Sequence, residues 1–287
     1  LVRRHGVGLF VAPDVHQEQV ALVCDARFLE RGDDASPFWS RLLPLAWTRL
    51  RADGCGLVHH LVVPDESATP EEVLGSRLCA DLRQGRIHGV LGVGLPACVV
   101  LWLERLDIPL VAFAGYAARR VALDRALGVR MGIDALADRG ARRVALWSAD
   151  PPDGEIHAMA ADALRARGLD LDPALVVDAA IPGPDSAPAR GAMAAESLRA
   201  LAAPPDALLC TEDTLLRGAL PFLPEPRLPI ATFANAGAPL LFGYERELIR
   251  VEFDPARLID EMVALLRSPR DGDACVVLPP VLRLPSA

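Results

Sequence analysis

Aromatic residues make up only 5% of this 287-residue chain, and no apolar run approaches the ~20 residues that a membrane-spanning helix needs. A transmembrane anchor is therefore not expected. No Cys-x-x-Cys occurs among the six cysteines, at positions 24, 55, 79, 98, 210 and 275. Several sit in apolar stretches, as in Leu22-Val-Cys24 and Leu208-Leu-Cys210, which fits buried free thiols in a reducing compartment better than a metal cluster or a disulfide framework. The Gly-x-Ser-x-Gly elbow, the P-loop and His-Glu-x-x-His are all absent, so the local signatures of serine hydrolases, P-loop nucleotidases and zinc proteases are missing. Adjacent His59 and His60 in a strand point to opposite faces and cannot jointly clamp a metal. No catalytic residue, metal or cofactor is expected. Positive charge is also in deficit: the net charge of −8 argues against the whole chain coating nucleic acid, although Leu1–His5 is locally basic.

What is present is apolar residues, 52% of the chain, enough for two sizeable cores. They fall in an alternating rhythm of strand and helix. Gln19-Val-Ala-Leu-Val-Cys24 is a strand of the kind buried on both faces of a parallel sheet. Ser36-Pro37 opens a helix to about Arg51 with Trp39, Leu42, Leu43, Ala46 and Leu50 as its apolar stripe. Strands follow at Leu57–Val63, Gly89–Val93, Pro109–Ala114 and Val121–Leu123, with helices opening at Thr69-Pro70 and Pro96. The rhythm then restarts. Helices are expected over Arg125–Arg139, Glu155–Arg167, Arg190–Ala202 and Pro255–Leu266. Strands are expected at Arg143–Trp147, Leu175–Ala179, Ala207–Cys210, Ile230–Phe233 and Ile249–Phe253, before a tail broken by Pro279-Pro280. A single sheet of ten or more strands would be unusual, so the expectation is α/β with two doubly wound lobes.

The first twelve residues read differently. Arg3-Arg4, a Gly6-x-Gly8 turn and the run Leu9–Val11 make a small β-hairpin, with arginines placed to reach a phosphate. This fragment resembles the wing of a GntR-type winged helix-turn-helix. Further on, Ser36-Pro-Phe-Trp39 and Leu82-Arg-Gln-Gly-Arg-Ile-His-Gly-Val-Leu91 resemble phrases of lactose-repressor-like (LacI/GalR-type) regulators. So do Val121-Ala-Leu-Asp124, Leu136-Ala-Asp-Arg-Gly-Ala-Arg-Arg-Val-Ala145 and Glu212-Asp-Thr-Leu-Leu-Arg-Gly-Ala-Leu220. The specificity lies in their order, from about Gln19 to the C-terminus.

That resemblance implies two Rossmann-like lobes with parallel sheets (periplasmic binding protein-like type I), joined by three crossovers, with a small effector held between them. It places the wing at 1–12, a linker at 13–18, the first lobe at 19–140 and 250–275, and the second at 141–249 and 276–287. It also implies a cytoplasmic homodimer that meets operator DNA through an upstream head, with Arg3, Arg4 and His5 at the DNA, and no membrane partner.

Ligands of open α/β sheets gather at the strand C-termini. The candidates there are Asp25, Arg27, Phe38, Trp39, His60, Asp124, Trp147, Ser148, Glu212, Asp213 and Asn235, a mixture of carboxylates, amide and aromatics suited to a sugar-like effector. Asp124 serves equally well as a helix N-cap. Three departures from the family pattern stand out. The ligand-gripping arginine falls near Ile156, with Glu155 and His157 beside it; the binding aspartate falls on Ala234, followed by Asn235; and Glu212 replaces the usual asparagine. Such a pocket would favour a polyol, an amino sugar or a cation. Two other readings remain open: an exported solute-binding protein, and an NAD-dependent oxidoreductase using Gly92-x-Gly94-x-x-Ala97, where Pro96 in the turn argues for a plain strand-to-helix turn.

Overall fold

A computed structural model describes residues 2–4, 8–10, 17–26, 37–63, 65, 67–148, 154–178, 187–223, 228–241, 243–244, 246–270 and 272–285. The chain divides into two compact units: the first takes residues 41–122 and 256–276 with the described residues before 30, and the second takes residues 37–40, the described residues of 123–255, and 277–285. Strands β1 (Val2–Arg4) and β2 (Gly8–Phe10) pair antiparallel, with Arg3 opposite Leu9, as the hairpin reading requires. The side chains of Arg3 and Arg4, all of His5 and residues 13–16 of the expected linker lie outside the described residues, as does Ser36.

The first unit is built on β3 (Gln19–Asp25), β4 (Gly56–Val62), β5 (Gly89–Val93), β6 (Leu110–Phe113), β7 (Arg119–Leu123) and, from the tail, β13 (Ala274–Leu278). Their order is β13-β7-β6-β5-β3-β4, and β3 to β7 run parallel. Its helices are α1 (Pro37–Ala52), α2 (Pro70–Leu74), α3 (Ser76–Arg83) and α4 (Ala97–Arg105), followed much later in the chain by α9 (Pro255–Arg267). In α1 the expected stripe holds: Leu42, Ala46 and Leu50 are buried, each worth up to ~3 kcal/mol for the larger side chains. The helix opened by Thr69 does carry a full capping box with Glu72, but it stops after five residues at Gly75, whose φ is 78°, and α3 begins at Ser76. Leu258, Ile259, Met262 and Val263 recur on one stripe of α9 and are all buried, the helical spacing of a core-facing side.

The second unit contains α5 (Arg125–Ala137), β8 (Val144–Ser148), α6 (Glu155–Ala166), β9 (Val176–Asp178) and α7 (Ala187–Arg199). It continues through β10 (Ala207–Cys210), α8 (Asp213–Ala219), β11 (Ile230–Asn235), β12 (Ile249–Phe253) and β14 (Val281–Arg283). The sheet order is β14-β12-β11-β10-β8-β9, parallel except for antiparallel β14. The proline pair at 279–280 therefore separates two strands of different sheets, where the sequence showed only a broken tail.

Three stretches differ from the expected boundaries; the first is the start of α1, residues 37–40, which groups with the second unit. Helix α5 and strand β12, assigned from sequence to the first lobe, belong to the second unit. The reason is local. Gly128 and Gly132 give α5 a flat face, so that a Cβ at either would meet the Phe233 and Phe253 rings or the Leu209 side chain. Strand β12 pairs with β11 over Ala231↔Ile249 to Asn235↔Phe253, which fixes it in the second sheet. Both units are α/β with predominantly parallel sheets, as expected.

Candidate functional site

In a parallel sheet every strand ends on the same edge, and the helix following each strand begins there. In the second unit this edge gathers Ser148 at the end of β8, Thr211 after β10, Asn235 at the end of β11, the first turn of α6 with His157, and the first residue of α8, Asp213. Four of these are buried despite being polar: Ser148 is 1% exposed, Asp213 6%, His157 7% and Thr211 9%. A buried polar group without a partner costs about 1–3 kcal/mol, so each needs an account.

Asp213 has one. Its Oδ2 accepts a hydrogen bond from Asn235 Nδ2 at 2.8 Å, joining the ends of β10 and β11. Burial nevertheless pushes its carboxyl up to about 6, against which the backbone N–H of Thr214 and the Asn235 amide act more weakly. Thr211 donates its backbone N–H to the carbonyl of Trp147 at 2.9 Å. His157 has none: among the described residues neither ring nitrogen meets a hydrogen-bond partner. A buried imidazole with both nitrogens bare is the feature of this edge that most needs a further molecule, whether ligand or water.

The other candidates scatter. Trp147, expected to face a ligand, is fully buried among Leu175, Leu198, Leu208, Leu215 and Leu216, because alternation turns it to the opposite side of β8 from Leu146 and into the layer under α7 and α8. It is a core residue. Glu212 is half-buried and stands at the N-cap of α8 without a side-chain capping bond. Asp124 caps α5, its Oδ1 accepting from the Leu127 N–H at 2.9 Å, while its own N–H donates to Leu278 at 2.8 Å.

In the first unit Asp25 ends β3 at 2% exposure; Phe38 and half-buried Trp39, which group with the second unit, meet edge to face at 5.1 Å in the first turn of α1. His60 is not at a strand end. It pairs with Val23 in mid-strand, and burial is the main force lowering its pKa, with the charges of Asp81 and Arg77 on α3 acting in opposite directions. Arg27 lies outside the described residues. At Gly92–Ala97 the Gly94 N–H is spent on the Phe113 carbonyl at 3.0 Å, and Leu95 fills the space over Gly92, so the turn is closed by its own chain. Among the described residues no group of His, Cys, Asp and Glu is placed to hold a metal ion, and no helix is long and apolar enough to cross a membrane.

Sequence reading missed Thr211 and the Asp213–Asn235 bond. The signal for Thr211 was present, as the first polar residue after Leu-Leu-Cys, at the point where a parallel strand surfaces.

No protein-family model matches the chain, and no curated protein matches it by sequence. Solved structures do match it. The transcriptional regulator CelR in complex with cellobiose is 20% identical, with a TM-score of 0.69 over 93% of this chain and 84% of that one. A LacI-family regulatory protein from Chloroflexus aggregans is 18% identical, with a TM-score of 0.68 over 92% and 96%. The trehalose repressor from Escherichia coli is 19% identical, with a TM-score of 0.64 over 93% and 100%. At such identities the likeness carries the fold, which is the two-lobed, periplasmic-binding-protein-like fold of LacI-family regulators.

Proposed function

We propose that this chain is the ligand-sensing part of a DNA-binding transcriptional regulator, and that its effector is a small polar molecule, a sugar or sugar derivative. The supporting observation is the row of buried polar groups at the strand C-termini of the second unit, with the unsatisfied His157 among them, on a fold shared with regulators. Ser148, Asp213 and Asn235 supply hydrogen-bond donors and acceptors, and His157 supplies one of each when neutral. The Phe38–Trp39 pair in the first turn of α1 is of a kind suited to the face of a sugar ring. No step of chemistry is assigned to these groups: the protein binds and does not catalyse.

The finer features of the reading come with it. The β1–β2 hairpin serves as the wing of a GntR-type head, where Arg3, Arg4 and His5 meet operator phosphates. The protein acts as a homodimer, which presents two heads to a two-fold operator. Strand β4 is a sheet edge; Leu61 within it and Val63 just beyond it are 50% and 62% exposed, an apolar surface of the kind a second copy covers. The location is the cytoplasm, in keeping with free Cys24, Cys55, Cys79 and Cys210, all buried and none paired; these thiols speak against an exported solute-binding protein.

An effector can shift the DNA-binding equilibrium only by its differential affinity for two conformations of the regulator. Operator affinity of the full-length protein, measured with and without effector, should change by ~5–150-fold. Unchanged affinity across a broad metabolite panel would contradict the proposal.

A further inference from the structure

Asp213 is a carboxylate buried with a neutral companion. Its partner is the side-chain amide of Asn235, the single asparagine of the chain, and among the described residues it forms no ion pair. The chain contains no lysine, and neither β10 nor β11 carries a charged residue. The helix packed most closely on α8 is α7, with Arg190, Glu196 and Arg199; α8 itself contributes Arg217, which is exposed. Among the described residues none of these arginines pairs with the Asp213 carboxylate, whose polar support there is the Thr214 and Asp213 backbone and the Asn235 amide. Negative charge is instead gathered nearby. Glu212 precedes Asp213, and Glu155 stands in the first turn of α6 on the same edge. The buried Cys210 thiol is raised by burial and, to a lesser degree, by the charges of Glu212 and Asp213.

Resting on the reading of this edge as an effector site, we propose that the effector carries an ammonium group, as an amino sugar or small polyamine does, received by the carboxylate of Asp213. The Asn235 amide holds that carboxylate in place, its carbonyl oxygen offering a second acceptor, while the bare nitrogens of His157 take a ligand hydroxyl. Without ligand, the buried group takes up a proton as pH falls through about 6, and above that it stands ionised and uncompensated among the described residues. A neutral sugar would leave the ionised Asp213 carboxylate without a counter-charge, and an acidic one would add a second negative charge beside it.

The single asparagine makes the test direct. In protein labelled with 15N-asparagine, the only side-chain amide pair observed is that of Asn235. Spectra and melting temperatures are recorded at about pH 8 with millimolar amino sugars and aliphatic diamines, and with the matching neutral sugars and polyols, for the wild-type chain and for Asp213→Asn. The expected result is that an amine moves the Asn235 signal and raises the melting temperature, that its neutral counterpart does neither, and that Asp213→Asn weakens the amine at least ~10-fold. If a neutral compound raises the melting temperature of both proteins equally, the ammonium assignment falls while the effector site stands. If no compound of either class moves the signal or the melting temperature, both fall.

Discussion

Gly218 lies so close to the backbone of Pro188 that a Cβ placed on it would be driven into the proline carbonyl, and Gly191 stands in the same relation to the carbonyl of Leu215. Helices α7 and α8 thus meet backbone to backbone, glycine against helix on both sides. This contact seats α8 and fixes where Asp213 begins. Gly218→Ala or Gly191→Ala should cost about 3 kcal/mol or more, because backbone, unlike a flexible side chain, cannot step aside. Urea unfolding checks this, and a loss below ~0.5 kcal/mol would mean that the helices are not so tightly seated.

The Asp213 carboxyl gives a pH signature. Its pKa is raised from 3.8 to about 6 by burial, so the folded state holds the proton more tightly than the unfolded chain. The group's favourable contribution is therefore present at low pH and lost as pH rises from the unfolded value through the folded one. Above that window the ionised, buried carboxylate carries a penalty of up to about 3 kcal/mol. Asp213→Asn removes the charge and keeps an oxygen to accept from Asn235. At about pH 8 the variant should be more stable than the wild-type chain, with the gap closing towards pH 4. A wild-type chain that is the more stable at high pH would place a cation beside Asp213.

Asp124 separates two roles by substitution. As the N-cap of α5 it accepts from Leu127, so Asp124→Ala should cost ~1 kcal/mol while Asp124→Asn costs a few tenths. If Asp124→Asn retains stability but loses effector response, the residue both caps the helix and contacts the ligand; if it retains both, capping is its whole role.

Thiol accessibility follows burial. Cys275 is exposed and Cys98 half-buried, whereas Cys24, Cys55, Cys79 and Cys210 are buried. Burial also pushes the Cys24 thiol up to about 12, so its reactive thiolate is scarce. A thiol reagent should label Cys275 first and leave the four buried cysteines unmodified until the protein unfolds.

The fold was legible because parallel strands covered on both faces, such as Val20–Cys24 and Leu208–Cys210, write themselves as unbroken apolar runs, and because caps such as Thr69 and Asp124 are local. What failed depends on which sheet an element joins. Nothing local in Ile249–Phe253 tells that it pairs with β11, and the α5 glycines reveal their purpose only against Phe233 and Leu209. Within the site, strand position located Ser148, Asp213 and Asn235 correctly at the sheet edge. It misjudged Trp147, because a strand terminus fixes the edge but alternation fixes the face, and a one-residue difference turns a side chain from ligand to core.

The most direct measurement is thermal unfolding of the chain across sugars, polyols and amino sugars, with His157→Phe run in parallel. A ligand that prefers the folded state at 100-fold over its Kd stabilises by about 2.7 kcal/mol, and at least one compound should do so. In the ligand-free state His157→Phe should match or exceed wild-type stability, since it removes two unsatisfied buried nitrogens, and the response to that compound should vanish. An unresponsive wild-type chain, or a response that His157→Phe leaves intact, would contradict the account.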